Sequence, residues 1–374
     1  MTPVAEAWLA LSLVEGLGKK AIRALLHTFG DVEAILAAKP DQLSRTGGIK
    51  PELAQRIANA REVDAFRMEL RLIEQYGINL VTLGQPEYPS LLLETGAPPP
   101  VLYTKGNAPL GGRLALGVVG TRRCTRAGEK VTRRLVTEMA ALAPELVIVS
   151  GLARGVDTVA HQQALASGLT TIAVLAGGLT KIYPPENLDL AMQITEQGAL
   201  VTEFPMASPP LANHFPIRNR IISGLSTGLL VVEAGKKSGA LITAGFALNQ
   251  NREVFAVPGG PDEPNSQGTN LLIQKGQGKL VLEGTDILEE LPGFKRDKVE
   301  QMDLLAPVPP AKGPVVRPDG EKGQVVASLT RGAMHPDDLA QETGIPVERL
   351  LGLLLELELE GEVVQTAENQ YALC

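Results

Sequence analysis

Aromatic residues make up only 3% of this 374-residue chain, and cysteine occurs twice. The first shortage leaves few rings on which unpaired bases could stack, so a binding surface paved with aromatics is not expected. The second excludes a disulfide scaffold and a thiolate metal site, because Cys124 and Cys374 stand far apart, without ligand spacing. No run of about 18 apolar residues is present to cross a bilayer. The opening "MTPVAEAWLALSLVEG" lacks the basic region and small-residue cleavage site of a signal peptide. A cytoplasmic chain without membrane contact is therefore expected.

What the chain has is 44% hydrophobic residues, rich in Ala, Leu and Val, and 39 glycines, a balance that suits an α/β protein. Its length suggests two or three domains. The net charge of −7 argues at first against a polyanionic ligand, but the charge is unevenly placed. Residues 109–285 carry 16 Lys/Arg against 13 Asp/Glu, whereas residues 286–374 carry 8 against 17. Within residues 113–134 there are seven basic side chains and one acid, Glu129, a local positive field that gathers phosphate.

From Leu114 onward, continuously apolar strands alternate with helical segments: "LALGVVG", "ELVIVSG", "TTIAVLAGG", "ALVTEF", "TGLLVVEA", "EVFAVPG" and "GKLVLEG". Parallel strands covered on both faces read this way, so residues 113–292 are expected to form a Rossmann-like, doubly wound, mostly parallel sheet. Ligands of such sheets lie beyond the carboxyl ends of the strands. There the first strand ends at Gly120–Thr121–Arg122, with Arg123, Arg126 and Lys130 close behind. The second ends at Ser150–Gly151 before Arg154, and the fifth at Glu233 before Lys236, Lys237, Ser238 and Gly239. Helix N-termini with cations beside them favour anions. "HFPIRNRIISGLS" adds Arg218, Asn219 and Arg220, while Lys181 beyond the third strand is either a groove residue or a solvated lysine. Several anion sites on one edge fit an extended phosphate chain better than a single nucleotide.

Other chemistries fit less well. "GVVGTR" is not G-x-G-x-x-G, the second strand ends without an acid for a ribose, and no P-loop is present. Asp157 and His161, four apart on one helix, lack a third metal ligand in reach and read as a helix-start acid and a packed histidine, so no metal is expected. Glu203 and Glu233 could serve as paired carboxylates, but among so many cations they read better as groups that order arginines. The alternative function is a nucleotide-processing hydrolase like the phosphoribohydrolases with P-G-G-x-G-T-x-x-E; here "VPGGPDEPNSQGTNLLI" starts with P-G-G but spaces the G-T pair wrongly and lacks the glutamate.

Outside the sheet, residues 1–75 read as helices joined by glycine turns. "VEGLGKKAIRALL" and "TGGIKPELAQRIA" fit either helix-hairpin-helix units or a bundle whose turns need glycine. Residues 76–112 read as a connecting segment and 293–322 as a flexible linker. Residues 323–374 have the element order of a winged helix, yet from residue 325 they hold two arginines against nine acids, which would repel a duplex. That domain reads as a protein-contact or regulatory module.

Taken in order, "GVVGTRR", "VSGLARGVDTVAHQQAL", "TIAVLAGGLTKIYPPEN", "GALVTEFP", "FPIRNRIISGLS" and "EAGKKSGALITA" resemble the DNA-processing protein A family, also called DprA or Smf. The resemblance implies a non-enzymatic protein without a cofactor that protects single-stranded DNA and loads the RecA recombinase onto it in natural transformation, with single-strand-binding protein as a further candidate partner. It carries the DNA contacts to Gly120 and Arg122, to Ser150, Gly151 and Arg154, to Arg218, Asn219 and Arg220, and to Lys237, Ser238 and Gly239. It also implies a homodimer through the last strands of the sheet. There "GTNLLIQKGQGKLVLEG" offers Ile273 and Leu280 as interface residues, although leucines of this kind equally suit an ordinary core.

Overall fold

The computed structural model describes residues 1–294, 320–366 and 370–373. Most of the expected linker and Cys374 lie outside these residues. The described chain divides into two compact units, residues 1–297 and 298–374.

The larger unit is organised by a nine-stranded sheet. Its strands are β1 (Asn79–Thr82), β2 (Val101–Gly106), β3 (Ala115–Val119), β4 (Val147–Ser150), β5 (Thr170–Val174), β6 (Ala199–Thr202), β7 (Gly228–Val231), β8 (Glu253–Ala256) and β9 (Lys279–Leu280). The order is β1-β2-β6-β5-β4-β3-β7-β8-β9. From β6 to β9 all pairs are parallel. Strands β3, β4, β7 and β8 are buried along nearly their whole length, which is why their sequences lack alternation. The order reverses between β3 and β7, the place where a doubly wound sheet opens a crevice.

Helices cover both faces. Arg126–Leu142 and Val156–Ala166 place Leu135, Val136, Met139 and Ala160 against Leu116, Val118, Ile148 and Leu230. On the other face, His214–Gly224 and Gly239–Asn249 pack Ile221, Ile222, Ala240 and Ala244 on Val119, Val149, Leu229 and Val231.

Residues 76–112 are not a connecting segment. They supply β1 and β2, which pair with each other and, through β2, with β6 in antiparallel register. The signal is weak because β1 is only four residues long and half-solvated, and "GAPPP" follows before β2. The helices before them include Pro3–Ser12, Lys19–Phe29, Val32–Ala37, Pro40–Leu43 and Pro51–Ala58, with glycine turns where the sequence places them. Their apolar faces join a single core with Val101, Tyr103, Ala173, Leu175 and Leu200 of the sheet. Glu69, on the helix Asp64–Tyr76, accepts the Met206 N–H at 2.7 Å, and burial raises its carboxyl pKa.

Among its described residues the second unit holds three helices, Glu321–Leu329, Pro336–Thr343 and Val347–Leu359, followed by the strands β10 (Val363–Gln365) and β11 (Tyr371–Leu373). Val325, Leu339, Leu350, Leu354, Leu357 and Tyr371 form its core. This is a winged helix, as its element order predicts.

Candidate nucleic-acid interface

The crevice at the β3/β7 reversal is a cleft of about 500 Å³, lined by Gly120, Arg122, Asp157, Tyr183, Phe215, Arg218, Asn219, Ser238 and Gly239 among others. Each segment reaches it for a local reason. After β3 the chain turns at Gly120, where an added Cβ would stand 2.4 Å from Val156 Cγ2, so only glycine lets turn and helix approach this closely. The Thr121 N–H donates to the Glu233 carbonyl at 2.7 Å, tying the β3 turn to the end of β7. Gly155 has φ +77°, and a Cβ there would lie 2.2 Å from the Thr121 carbonyl. Ser238 caps the Gly239–Asn249 helix by accepting the Ala240 N–H, leaving that helix's positive end at the cleft.

Two cations occupy the cleft in different ways. Arg122 is exposed, and its guanidinium lies 4.7 Å from the centroid of the Phe215 ring. This cation–π contact orients the side chain without consuming its donors. Arg218 is buried: it donates through Nη1 to the Gly151 carbonyl at 2.6 Å and also to the Val174 carbonyl. Burial pulls its pKa down to about 10, with Asp157 opposing that shift. Gly151 is required beneath it, because a Cβ would stand 2.5 Å from the guanidinium.

Asp157 accepts the backbone N–H of Gly151 at 3.1 Å and of Ala153 at 3.4 Å, which closes the loop after β4. Burial raises its pKa to about 6 although Arg218 and Arg122 pull the other way. A carboxyl whose folded pKa exceeds its unfolded value binds its proton earlier in the native state, so it favours folding as the pH falls. Relative to Asp157→Asn, the parent should therefore gain about 3 kcal/mol of unfolding free energy between pH 6.5 and pH 3.5. Denaturant titrations of both proteins across that range would show this; two parallel curves would mean an ordinary, solvated carboxylate.

His161 is fully buried beside Thr171 Oγ1 at 2.7 Å and is kept neutral, its pKa pushed down to about 3 by burial and by Arg218. Asp157 and His161 are thus committed to separate partners and do not converge on a shared ligand position. Glu233 accepts the Thr125 N–H at 3.0 Å and its hydroxyl, and Glu203 pairs with Arg220, so each carboxylate is engaged where the sequence reading left an acid/base pair open.

Several sequence-selected residues do not face the cleft. Arg220 is buried, donating to the Ala97 carbonyl at 2.7 Å and to Glu203. Successive helical residues turn by about 100°, so Arg218 and Arg220 diverge although only one residue separates them. Ser150 is fully buried and donates to the Val118 carbonyl at 2.6 Å, facing the neighbouring strand. Arg154 is exposed and ion-paired with Glu186. Arg123, Arg126 and Lys237 are exposed but do not line the cleft, and Lys181 borders the adjoining grooves.

Sequence reasoning missed two aromatics, Tyr183 and Phe215, whose rings meet edge-on at 5.9 Å between centroids. The composition argument against a stacking surface is corrected at this one place: a low total does not prevent two rings from meeting at the site.

Fold and site together define a class: a Rossmann-like sheet with a cationic, aromatic-walled crevice, preceded in the sequence by a helical-hairpin region and followed by a winged helix. Comparison with known proteins makes it specific. The model of the DNA recombination-mediator protein A family matches residues 79–292, the DprA winged helix domain matches 309–369, and a SAM-like helix-hairpin-helix tandem matches 9–62. Protein Smf of Escherichia coli is 36% identical over 95% of this chain and 92% of its own. Protein Smf of Synechocystis is 33% identical over 97% of both. The solved structure of DNA processing protein A from Streptococcus pneumoniae superposes with a TM-score of 0.67 at 34% identity, covering 78% of this chain and 99% of that one. A structure describing the single-stranded DNA binding mode of the Helicobacter pylori protein gives 0.50 at 30% identity, covering 56% and 94%. The chain belongs to the DprA/Smf family of DNA-processing proteins.

Among the described residues no helix is long and apolar enough to cross a membrane.

Proposed function

We propose that this chain binds single-stranded DNA in the β3/β7 cleft and passes it to a recombinase of the RecA type, with a part in transformation or recombination. The observation that carries the reading is the stack of Arg122 on Phe215 beside the Gly239 helix terminus. One crevice there offers an exposed guanidinium and a helix N-terminus to a phosphate, and a ring pair to an unpaired base. A paired base has its faces covered by its neighbours, so Phe215 and Tyr183 favour a single strand over a duplex. The Helicobacter pylori relative, described as binding single-stranded DNA, supports the same reading.

Gly120, Arg122, Asn219, Ser238 and Gly239 are the proposed contacts within the cleft, with Arg123, Arg126 and Lys237 as outlying cations on the path of a longer strand. Arg218 shapes the floor. The hydrolase alternative would need an exposed acid or base in the cleft, and Asp157, the carboxylate among its lining residues, is buried with Oδ2 held by two backbone donors.

Titration of labelled single-stranded and duplex oligonucleotides at two salt concentrations, beside a nucleotide-hydrolysis assay, tests this. Salt-sensitive preference for the single strand without turnover is expected; equal affinity for both, or turnover, would overturn it. Arg122→Ala should weaken strand binding about tenfold and reduce the slope of log affinity against log salt by about 0.7, the loss of one phosphate contact. Thermal stability should be unchanged because the side chain is exposed. A fall in stability with an unchanged salt slope would make Arg122 structural.

A further inference from the structure

In a winged helix the helix Val347–Leu359 is the one that usually enters a DNA groove. Here its inner residues Leu350, Leu354 and Leu357 fill the small core. Its outer face is apolar as well: Val347, Leu351, Leu355 and Leu359 are 40, 46, 58 and 81% exposed. Each lies four positions after the last, so they form one ridge roughly 18 Å long, tilted across the helix. Gly352 lies beside this ridge with open space around it. Scattered exposed leucines need no explanation, but an aligned row does.

The charges around the row select what covers it. Glu356 and Glu360 share Lys322, and Arg349 pairs with Glu321, all to one side of the row. On the angular sector of the row itself stand Glu348 and Glu358, which have no ion-pair partner among the described residues. A second copy of this face would set these acids against their own kind, and a duplex would set them against phosphate. A cationic apolar partner would neutralise them while burying the leucines.

We propose that the outer face of the Val347–Leu359 helix is a docking site for another protein's amphipathic helix, with an apolar stripe flanked by lysine or arginine. Pairs of helices that interlock ridge into groove bury such rows. Gly352 gives the incoming helix room for close approach. The acid around the row then selects partners by charge and leaves nucleic acid to the other unit.

The test uses the full chain and a fluorescein-labelled synthetic peptide of about 18 residues with leucines at i, i+4 spacing and lysines between them. A peptide of the same composition in scrambled order measures charge attraction alone. The ordered peptide should bind about tenfold tighter than the scrambled one, the gain from a matched apolar seam. Leu351→Ser with Leu355→Ser should erase that difference, while the exposed sites leave thermal stability and single-strand binding as in the parent. Glu348→Lys with Glu358→Lys should weaken both peptides and keep the preference for the ordered one. Equal binding of the two peptides by the parent would overturn the proposal. So would a self-association or a duplex affinity that disappears with the two leucines, because the face would then serve a second copy or DNA.

Discussion

Arg218→Ala should lower the unfolding free energy by about 3–5 kcal/mol, the usual cost of removing one member of a buried charged cluster. The guanidinium holds the Gly151 and Val174 carbonyls, which close β4 and β5, and it faces the buried Asp157 carboxyl. Its loss leaves those acceptors without their donor and Asp157 without its main cation. Strand binding should fall too, as the floor of the cleft relaxes, but only together with stability. Arg218→Lys should recover part of the loss, because both carbonyls accept from the one nitrogen Nη1 and an ammonium placed there keeps the charge and donors for both. Chemical denaturation combined with strand titration of the folded fraction separates the outcomes. A variant as stable as the parent that merely binds DNA less well would make Arg218 a phosphate ligand instead of a floor.

If, as we propose, the chain pairs through the β9 edge of its sheet, Leu280→Glu should yield a folded monomer that binds a long single strand about a hundredfold more weakly, while a short oligonucleotide that fills one cleft binds almost as before. Among the described residues β9 is the last strand of the sheet, with no strand beside its outer edge. Leu280 is 42% exposed and Leu282 62%, so this edge offers apolar surface. Pairing two such edges would place two clefts on one particle, and a long strand held at both gains avidity without any new contact. Ile273, the other sequence-chosen interface residue, packs partly against its own core, so a charge there would also cost folding. Leu280 is the cleaner position. Light scattering that still reports a dimer for Leu280→Glu would move the interface elsewhere.

The parallel strands and their crevice were legible because strands buried on both faces must be apolar throughout, and because a doubly wound sheet places its ligands at the strand ends. Strands β1 and β2 were not: β1 is four residues long and half-solvated, and β2, although buried over Val101–Thr104, follows directly on the proline run of "GAPPP". The cleft was legible as a cluster of segments but not as a set of side chains. "FPIRNR" marks the right helix, yet helical rotation sends Arg218 to the floor and Arg220 to Glu203. Ser150 sits at the right strand end and points at the adjacent strand. Phe215 stood in the quoted motif all along. The signal that could have found it is its position just before Pro216 at a helix start on the carboxyl edge, and it was hidden behind an average taken over the whole chain.

Hydrogen–deuterium exchange of the full chain, with and without a saturating oligo-dT strand, tests the central claim most directly. The account predicts slowed exchange in the turn after β3, at the start of the His214–Gly224 helix and at the start of the Gly239–Asn249 helix, with the Arg122→Ala protein showing less of it at the same strand concentration. Protection confined to the N-terminal helical hairpins or to the winged helix, with the β3/β7 crevice exchanging as in the free protein, would contradict it.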